Sequence, residues 1–431
     1  MEIKDTSGGG LKPGWMKILQ EYASRMRAFQ PNARLYLLNV VLSGISMGVY
    51  RLIFNFYVLS LGYDEALLGQ LITVSNLTSL IVALPAGYLA DLLGRKRSLL
   101  VGGALTSAAI AGMVIWPERS VLFALQVLMG AAQSIWAVTM APFLMENSGE
   151  EERTYLFSFG HGLQMVSAFV GNWIGGYLPG WMGTWQNVSA TDSLAYGWSI
   201  VVVAGMFAFG LLPLILLRRH RLAGEGRSVF APITYAMENP VLLGKLIVPT
   251  LVTSIGAGLI MPFMNVFFRV VHEQPDPVIG TLFAWGSLAM GVGLLAAPAL
   301  AERIGKIQVV VITQALSVPF LILLGFAPWF WLSAAAYYVR LTLMNMSNPV
   351  YQTFVMESVE TSARATVASL TTMAWNFGWA FSPTISGSLQ VKYGFGPPFL
   401  GTITLYIVAI TMYWAFFWRG KESKVPVPIG D

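Results

Sequence analysis

Cysteine is absent from the 431-residue chain, which excludes disulfides and thiolate-held metal. Histidine is nearly absent as well. His161, His220 and His272 are the only three, and they are too dispersed along the chain to suggest a metal site. Charge is scarce: 11% of residues are Asp, Glu, Lys or Arg, against 55% hydrophobic. So few charges cannot coat a water-soluble particle of this size, and the composition is that of an integral membrane protein. The chain also lacks a Walker A sequence, a plausible Ser-His-Asp set and paired carboxylates within its apolar runs. Each omission removes a class of enzyme, so the sequence reads as a non-enzyme without cofactor or metal.

What the chain has in abundance is apolar runs of about 20 residues, each enough to cross ~30 Å of hydrocarbon as a helix. Twelve are expected, at 35–60, 66–92, 98–116, 120–145, 155–178, 197–217, 246–270, 278–301, 308–326, 329–355, 365–390 and 397–418. The fold class that follows is an all-α membrane protein. The polar, basic segment 1–32 lacks the apolar core of a cleavable signal. Its Trp15, Ile18, Leu19, Tyr22, Met26 and Phe29 fall at helical spacing, which suits either an interfacial amphipathic helix or a tethered tail.

Basic residues set the expected orientation. If both termini are cytoplasmic, that side receives 21 of the 26 Lys and Arg, and the other only Arg119 and Lys392. This positive-inside bias predicts a multi-pass protein of the plasma (inner) membrane. The net charge of +5 then reports topology and contact with anionic lipid rather than nucleic acid. The expected partners are a small-molecule substrate, the bilayer, and a coupling ion or counter-substrate; the expected state is a monomer.

The chain repeats itself. At an offset of 211 residues, Gly69 meets Gly280, Gly94 meets Gly305, Pro117 meets Pro328, Met145-Glu146 meets Met356-Glu357, Arg153 meets Arg364 and Gly176 meets Gly387. An apolar composition pairs leucines by chance, not Glu, Arg, Pro and Gly in one register. Two six-helix halves, 33–217 and 246–418, are therefore predicted, joined by a polar linker at 218–245 and followed by a tail at 419–431. Six spans are an even number, so both halves insert the same way round. The result is a parallel repeat with a pseudo-two-fold axis along the membrane normal.

Residues 87–97, GYLADLLGRKR, interrupt the apolar pattern with a carboxylate and three cations. Gly87, Asp91, Gly94, Arg95 and Lys96 match G-x-x-x-D-x-x-G-R-K, and with the twelve spans and six-plus-six repeat the chain resembles the major facilitator superfamily over about 380 residues. The resemblance implies secondary transport by alternating access, with helices 1, 4, 7 and 10 around a central cavity. It also implies a cytoplasmic gate, here Gly87, Asp91, Gly94, Arg95, Lys96 and Glu146, repeated in the second half as Glu302, Lys306 and Glu357. Physically, Asp91 stands at a helix C-terminus, where the dipole is already negative, so it needs a cation. Gly87 would let another helix approach. Helix 5 reads Ser167, Gly171, Asn172, Gly175, Gly176 where some family antiporters carry G-x-x-x-G-P-x-x-G-G, with Asn172 in place of proline. Antiport does not follow from it.

On the helices expected at the centre, Arg51 and Asn55 share a face with Gly44 and Gly48. Asn265 and Arg269 lie on helix 7, Arg340, Asn348 and Gln352 on helix 10, and Gln126 and Gln133 on helix 4. A mid-membrane arginine costs at least ~2.5 kcal/mol, so it faces a partner, water or a ligand. All 21 Asp and Glu fall in loops, termini or helix ends, leaving no mid-membrane acid for Arg51 or Arg340. The expected substrate is accordingly an organic anion or anionic amphiphile held by those arginines, with Asn55, Gln133, Asn265, Asn348, Trp375 and Trp379 completing its site. His161 is the only candidate for proton coupling. Arg269 is read as able to snorkel outward beside His272. Two alternatives stand: a multidrug or lipid exporter with an apolar wall of Trp136, Trp285, Trp375, Trp379, Tyr50, Tyr351, Met261 and Met344, and a non-accumulating transporter-like receptor or scramblase.

Overall fold

The computed structural model describes residues 29–217, 239–360 and 363–419. The amphipathic pattern before residue 29, most of the linker and most of the tail lie outside them. Twelve long helices account for the described chain: α1 Pro31–Ser60, α2 Glu65–Leu93, α3 Arg95–Ile115, α4 Arg119–Glu146, α5 Glu150–Gln186, α6 Ser193–Ile215, α7 Pro240–Val270, α8 Asp276–Ile304, α9 Lys306–Phe326, α10 Phe330–Glu357, α11 Arg364–Tyr393 and α12 Gly396–Trp418.

Among the described residues, nine of the twelve are long and apolar enough to cross a membrane by composition alone, and the other three are α5, α10 and α11. Those three carry much of the polar inventory: His161, Gln164, Arg340, Asn348, Asn376. Polar side chains inside a bundle lower the apolar score of the helix that bears them. The two largest boundary shifts from expectation involve proline. Helix α5 runs through Pro179 to Gln186, eight residues beyond 178, and stops at Asn187 with φ +57°. Helix α7 starts at Pro240, inside the expected linker, because proline at the first helical positions forfeits no intrahelical hydrogen bond.

The internal repeat is visible in the turns. Gly94 alone separates α2 from α3 with φ +80°, and its counterpart Gly305 separates α8 from α9 with φ +95°. Positive φ at a one-residue helix junction is a glycine position.

Three helix pairs supply the main sets of contacts between the halves among the described residues, all away from the basic-loop face. Helix α2 meets α11 where a Cβ on Gly69 would collide with the Pro383 carbonyl, and one on Gly387 with that of Glu65. Helix α5 meets α8 where Gly176 and Gly280 lie Cα to Cα. Gly69 pairs with Gly280, and Gly176 with Gly387, in the 211 register, so the two interfaces are pseudo-symmetric copies. The third set joins α1 to α7.

The apolar core follows the same division. One cluster runs continuously from Val49–Val58 of α1 to Ala257–Phe268 of α7 and spans both halves. Nearer the basic face the core splits. One cluster there is confined to the first half, around Tyr36, Leu99, Phe143 and Leu214, and another to the second, around Leu246, Val310, Tyr351 and Tyr413. The halves are fused at one face and parted at the other.

Candidate functional site

Two adjoining chambers lie between the halves. The upper one, about 540 Å³, opens near the basic face among Tyr36, Leu144, Phe157 and His161. The deeper one, about 550 Å³, ends on Phe54, Asn55, Pro262 and Asn265. Met47, Arg51, Asn76, Gln133 and Trp379 belong to both.

Arg51 is therefore at the junction. Helix α1 can present it there because Gly44 and Gly48 on the adjoining turns pack closely against Ser167 and Gly171 of α5. Its side chain is exposed to the chambers, and it has no hydrogen-bond or ion-pair partner among the described residues. Among those residues no Asp or Glu lines either chamber, and Arg51 is the only Arg or Lys that does. Around it stand amides: Gln133 from α4, and Asn76 from α2, whose Nδ2 donates to the Trp379 carbonyl at 3.1 Å. The walls of the upper chamber are otherwise largely apolar, with Val40, Leu80, Trp136, Met140 and Phe207.

The floor is a reciprocal amide clamp. Asn55 Nδ2 donates to Asn265 Oδ1 and to the Pro262 carbonyl, both at 2.7 Å. Asn265 Nδ2 donates back to the Leu52 carbonyl at 2.7 Å. That geometry depends on a local break, since α7 passes through a 3-10 turn at Met261–Phe263 before resuming at Met264. Pro262 cannot donate to the helix ladder.

Several expected wall residues lie elsewhere. Arg340 is 2% exposed and sits within the second half, its Nη2 donating to Tyr406 Oη at 3.1 Å and its Nη1 directed at Met261 Sδ at 3.7 Å. Met261 lines the deeper chamber, so Arg340 is one side chain behind the wall. Asn348 is exposed but borders neither chamber, and α10 contributes no described residue to either. The Trp375 ring lies tilted against that of Trp379, centroids 6.5 Å apart, and its carbonyl accepts from Ser254; only Trp379 lines the chambers. Tyr351 is core, donating to the Leu246 carbonyl at 2.5 Å. Trp285 packs edge-on to Phe169, centroids 5.6 Å apart, outside both chambers. His161, Gln164 and Asn376 line the upper chamber.

Arg269 does not snorkel. It ion-pairs with Asp276, donates to Tyr196 Oη at 2.5 Å and lies 3.4 Å from the centre of the Phe56 ring.

At the basic face, Arg95 Nη1 meets Asp91 Oδ1 at 2.6 Å, and its Nε meets Glu146 Oε1 at 3.0 Å. Lys96 donates to the Ile215 and Leu217 carbonyls at 2.5 and 2.8 Å, tethering α6. In the second half Lys306 pairs with Glu357, while Glu302, the counterpart of Asp91, is exposed and unpaired among the described residues. Each network stays within its own half. A side chain on Gly87 would meet nothing within 4 Å, so the helix approach expected there is not made in this arrangement.

The model of the Major Facilitator Superfamily matches residues 36–383, with a second match over 246–429. The chain belongs to this superfamily. It is 23% identical over 380 residues to the multidrug resistance protein MdtG of Escherichia fergusonii, covering 83% of this chain and 86% of that one. Among solved structures it is similar to the nucleoside transporter NupG, with TM-score 0.73 and 13% identity over 91% of this chain and all of that one. A bacterial homologue of the lysosomal transporter Spinster, inward-facing and unoccupied, gives 0.74, with 13% identity over 91% and 96% of the two chains. A D-xylose–proton symporter gives 0.70, with 13% identity over 89% and 97%. These structural likenesses establish a shared fold. The protein is a multi-pass secondary transporter of small molecules and not an enzyme.

Sequence reasoning missed Asn76, which borders both chambers. Helix 2 was not among those expected at the centre, yet Ser75, Asn76 and Ser79 stand out in its apolar run at helical spacing and gave a readable signal.

Proposed function

We propose that this transporter carries a monoanionic amphiphile, its acid group at Arg51 and its apolar part against Trp136, Met140, Leu144 and Phe157 of the upper chamber. The observation that supports this is a single, unpartnered guanidinium at the junction of two chambers without a lining carboxylate among the described residues. Gln133 and Asn76 add neutral hydrogen-bonding groups beside it. With Arg340 withdrawn, a second negative charge on the substrate would lack a partner once water is excluded, at a cost of several kcal/mol.

The transport cycle we infer is a rocking of residues 33–217 against 240–418. The positive-inside bias makes the basic face cytoplasmic, so both termini are cytoplasmic and the structure is inward-open. In the opposite state the Asp91–Arg95–Glu146 and Lys306–Glu357 networks would close the cytoplasmic face, with Gly87 giving room for the approach. His161 is the only imidazole among the described residues of the chambers and the remaining candidate for proton coupling.

The second reading is multidrug efflux, favoured by the similarity to MdtG and by the apolar wall. Counterflow in proteoliposomes separates the two. Octanesulfonate is charged at every working pH and crosses a bilayer slowly unaided. Vesicles preloaded with it are expected to take up labelled octanesulfonate, and octyltrimethylammonium preload is expected to drive no exchange. Exchange of the cation and not the sulfonate would establish efflux of cationic drugs instead.

A further inference from the structure

The face opposite the basic loops is sealed beyond the amide floor by a cluster that the sequence did not announce. Phe56 and Tyr196 come from the first half, on α1 and α6; Arg269 and Asp276 come from the second, at the end of α7 and the start of α8. Arg269 pairs with Asp276, which at 7% exposure is the only buried Asp or Glu among the described residues. Both ionic partners thus belong to the same half. What crosses between halves is neutral. Tyr196 Oη accepts from Arg269 Nη2 at 2.5 Å and donates to Asp276 Oδ2 at 2.6 Å, and the Phe56 ring lies 3.4 Å under the guanidinium. Phe56 and Tyr196 are both fully buried, their rings 6.2 Å apart.

The geometry points to an outer latch whose parting surface runs between an intact ion pair and a neutral aromatic receptor, so that opening this face separates Tyr196 and Phe56 from Arg269–Asp276 without breaking the salt bridge. Splitting a buried ion pair across the interface would require each charge to be hydrated separately on opening and stripped of water again on every closing. Detaching one hydroxyl and one ring forfeits two charge-assisted hydrogen bonds and a cation–π contact, while the pair stays neutralised and gains water. The close backbone approach of Gly176 to Gly280 beside the cluster brings the hydroxyl within reach. The latch is independent of the substrate, so it stands or falls apart from the Arg51 reading.

The absence of native cysteine makes the test clean. Spin labels on Thr191→Cys in the α5–α6 loop and Glu273→Cys in the α7–α8 loop report the separation of the halves at this face by pulsed electron–electron resonance. Tyr196→Phe, which removes only the crossing hydroxyl and its two hydrogen bonds to charged groups, is expected to raise the ratio of long to short distances at least about tenfold. Phe56→Leu is expected to shift it in the same direction. Asp276→Asn keeps an oxygen acceptor for Tyr196 but cancels the ion pair; it should lower the melting temperature and move the ratio less than Tyr196→Phe does, because a pair present in both states stabilises both. An unchanged ratio in Tyr196→Phe and Phe56→Leu would overturn the latch. A larger shift in Asp276→Asn than in Tyr196→Phe would show that the ion pair itself parts, and would overturn the proposed division.

Discussion

Arg51 and Arg340 carry the same charged group into the membrane region and are stabilised there in different ways. Arg51 is exposed to the chambers without a protein partner among the described residues; Arg340 is buried against Tyr406, which takes a hydrogen bond and lies 5.6 Å from ring centre to guanidinium carbon. The two roles separate by substitution. Arg340→Met should leave affinity for octanesulfonate within about twofold, because buried ionic groups can often be replaced by apolar ones of similar volume at little net cost. Calorimetric titration checks this, and a loss of affinity as large as that of Arg51→Gln would return Arg340 to the site. The sequence made it legible that both arginines need an explanation, since a mid-membrane cation without a nearby acid always does. It could not tell a cavity from a tyrosine hydroxyl, because the distinction depends on which residue of α12 faces α10. The partner of Arg269 was illegible for a related reason. Asp276 lies seven residues onward, and only the turn between α7 and α8 brings the two together.

At the scale of helices, the glycines fix which faces meet. A Cβ at position 280 would fall 2.6 Å from the Gly176 Cα and 2.7 Å from the Asn172 carbonyl, distances that real side chains do not adopt, so α5 and α8 would have to separate. Gly280→Val is therefore expected to hold the outer face open. In a single-cysteine background, a cysteine replacing Ser75 in the deeper chamber should become reactive toward a membrane-impermeant maleimide added outside, at least several-fold faster than with Gly280 intact. Equal rates would mean that the interface yields without parting. Gly176 and Gly280 were readable as repeat-register glycines, each matched to a partner in the other half. Their contact with one another was not, because an offset shows which positions are equivalent, not which ones touch. The twelve helices and their order were legible from apolar run length, with the largest errors where proline starts or fails to stop a helix, as at Pro240 and Pro179, and smaller ones where a polar first turn precedes the apolar run, as at Glu150 and Ser193.

For the whole molecule, the fused apolar cluster at one face and the two separate clusters at the other correspond to one end of the proposed cycle. In the proposed cycle its counterpart closes the basic face, with the Asp91–Arg95–Glu146 network as the proposed clasp. Asp91→Asn is expected to reduce exchange in proteoliposomes at least tenfold while leaving octanesulfonate affinity in the inward-open state within about twofold, a separation of turnover from binding. Full exchange activity in a correctly folded variant would reduce the network to a topology signal. The membership of the superfamily and the six-plus-six repeat were available from the sequence, because charge and glycine in register survive in an apolar background. The direction in which the cavity opens was not, since both end states satisfy the same pattern.

The central claim is that one guanidinium, Arg51, selects a singly charged anion in a cavity that has no competing acid among the described residues. Its most direct test is calorimetric titration of octanesulfonate into the protein held in lipid nanodiscs, with Arg51→Gln alongside. The account predicts saturable binding that weakens about 10- to 100-fold in the variant, the range for losing charge-assisted hydrogen bonds, with octyltrimethylammonium binding no better than background in the unaltered protein. Equal octanesulfonate affinity in the two proteins, or tighter binding of the cation by the unaltered one, would contradict it.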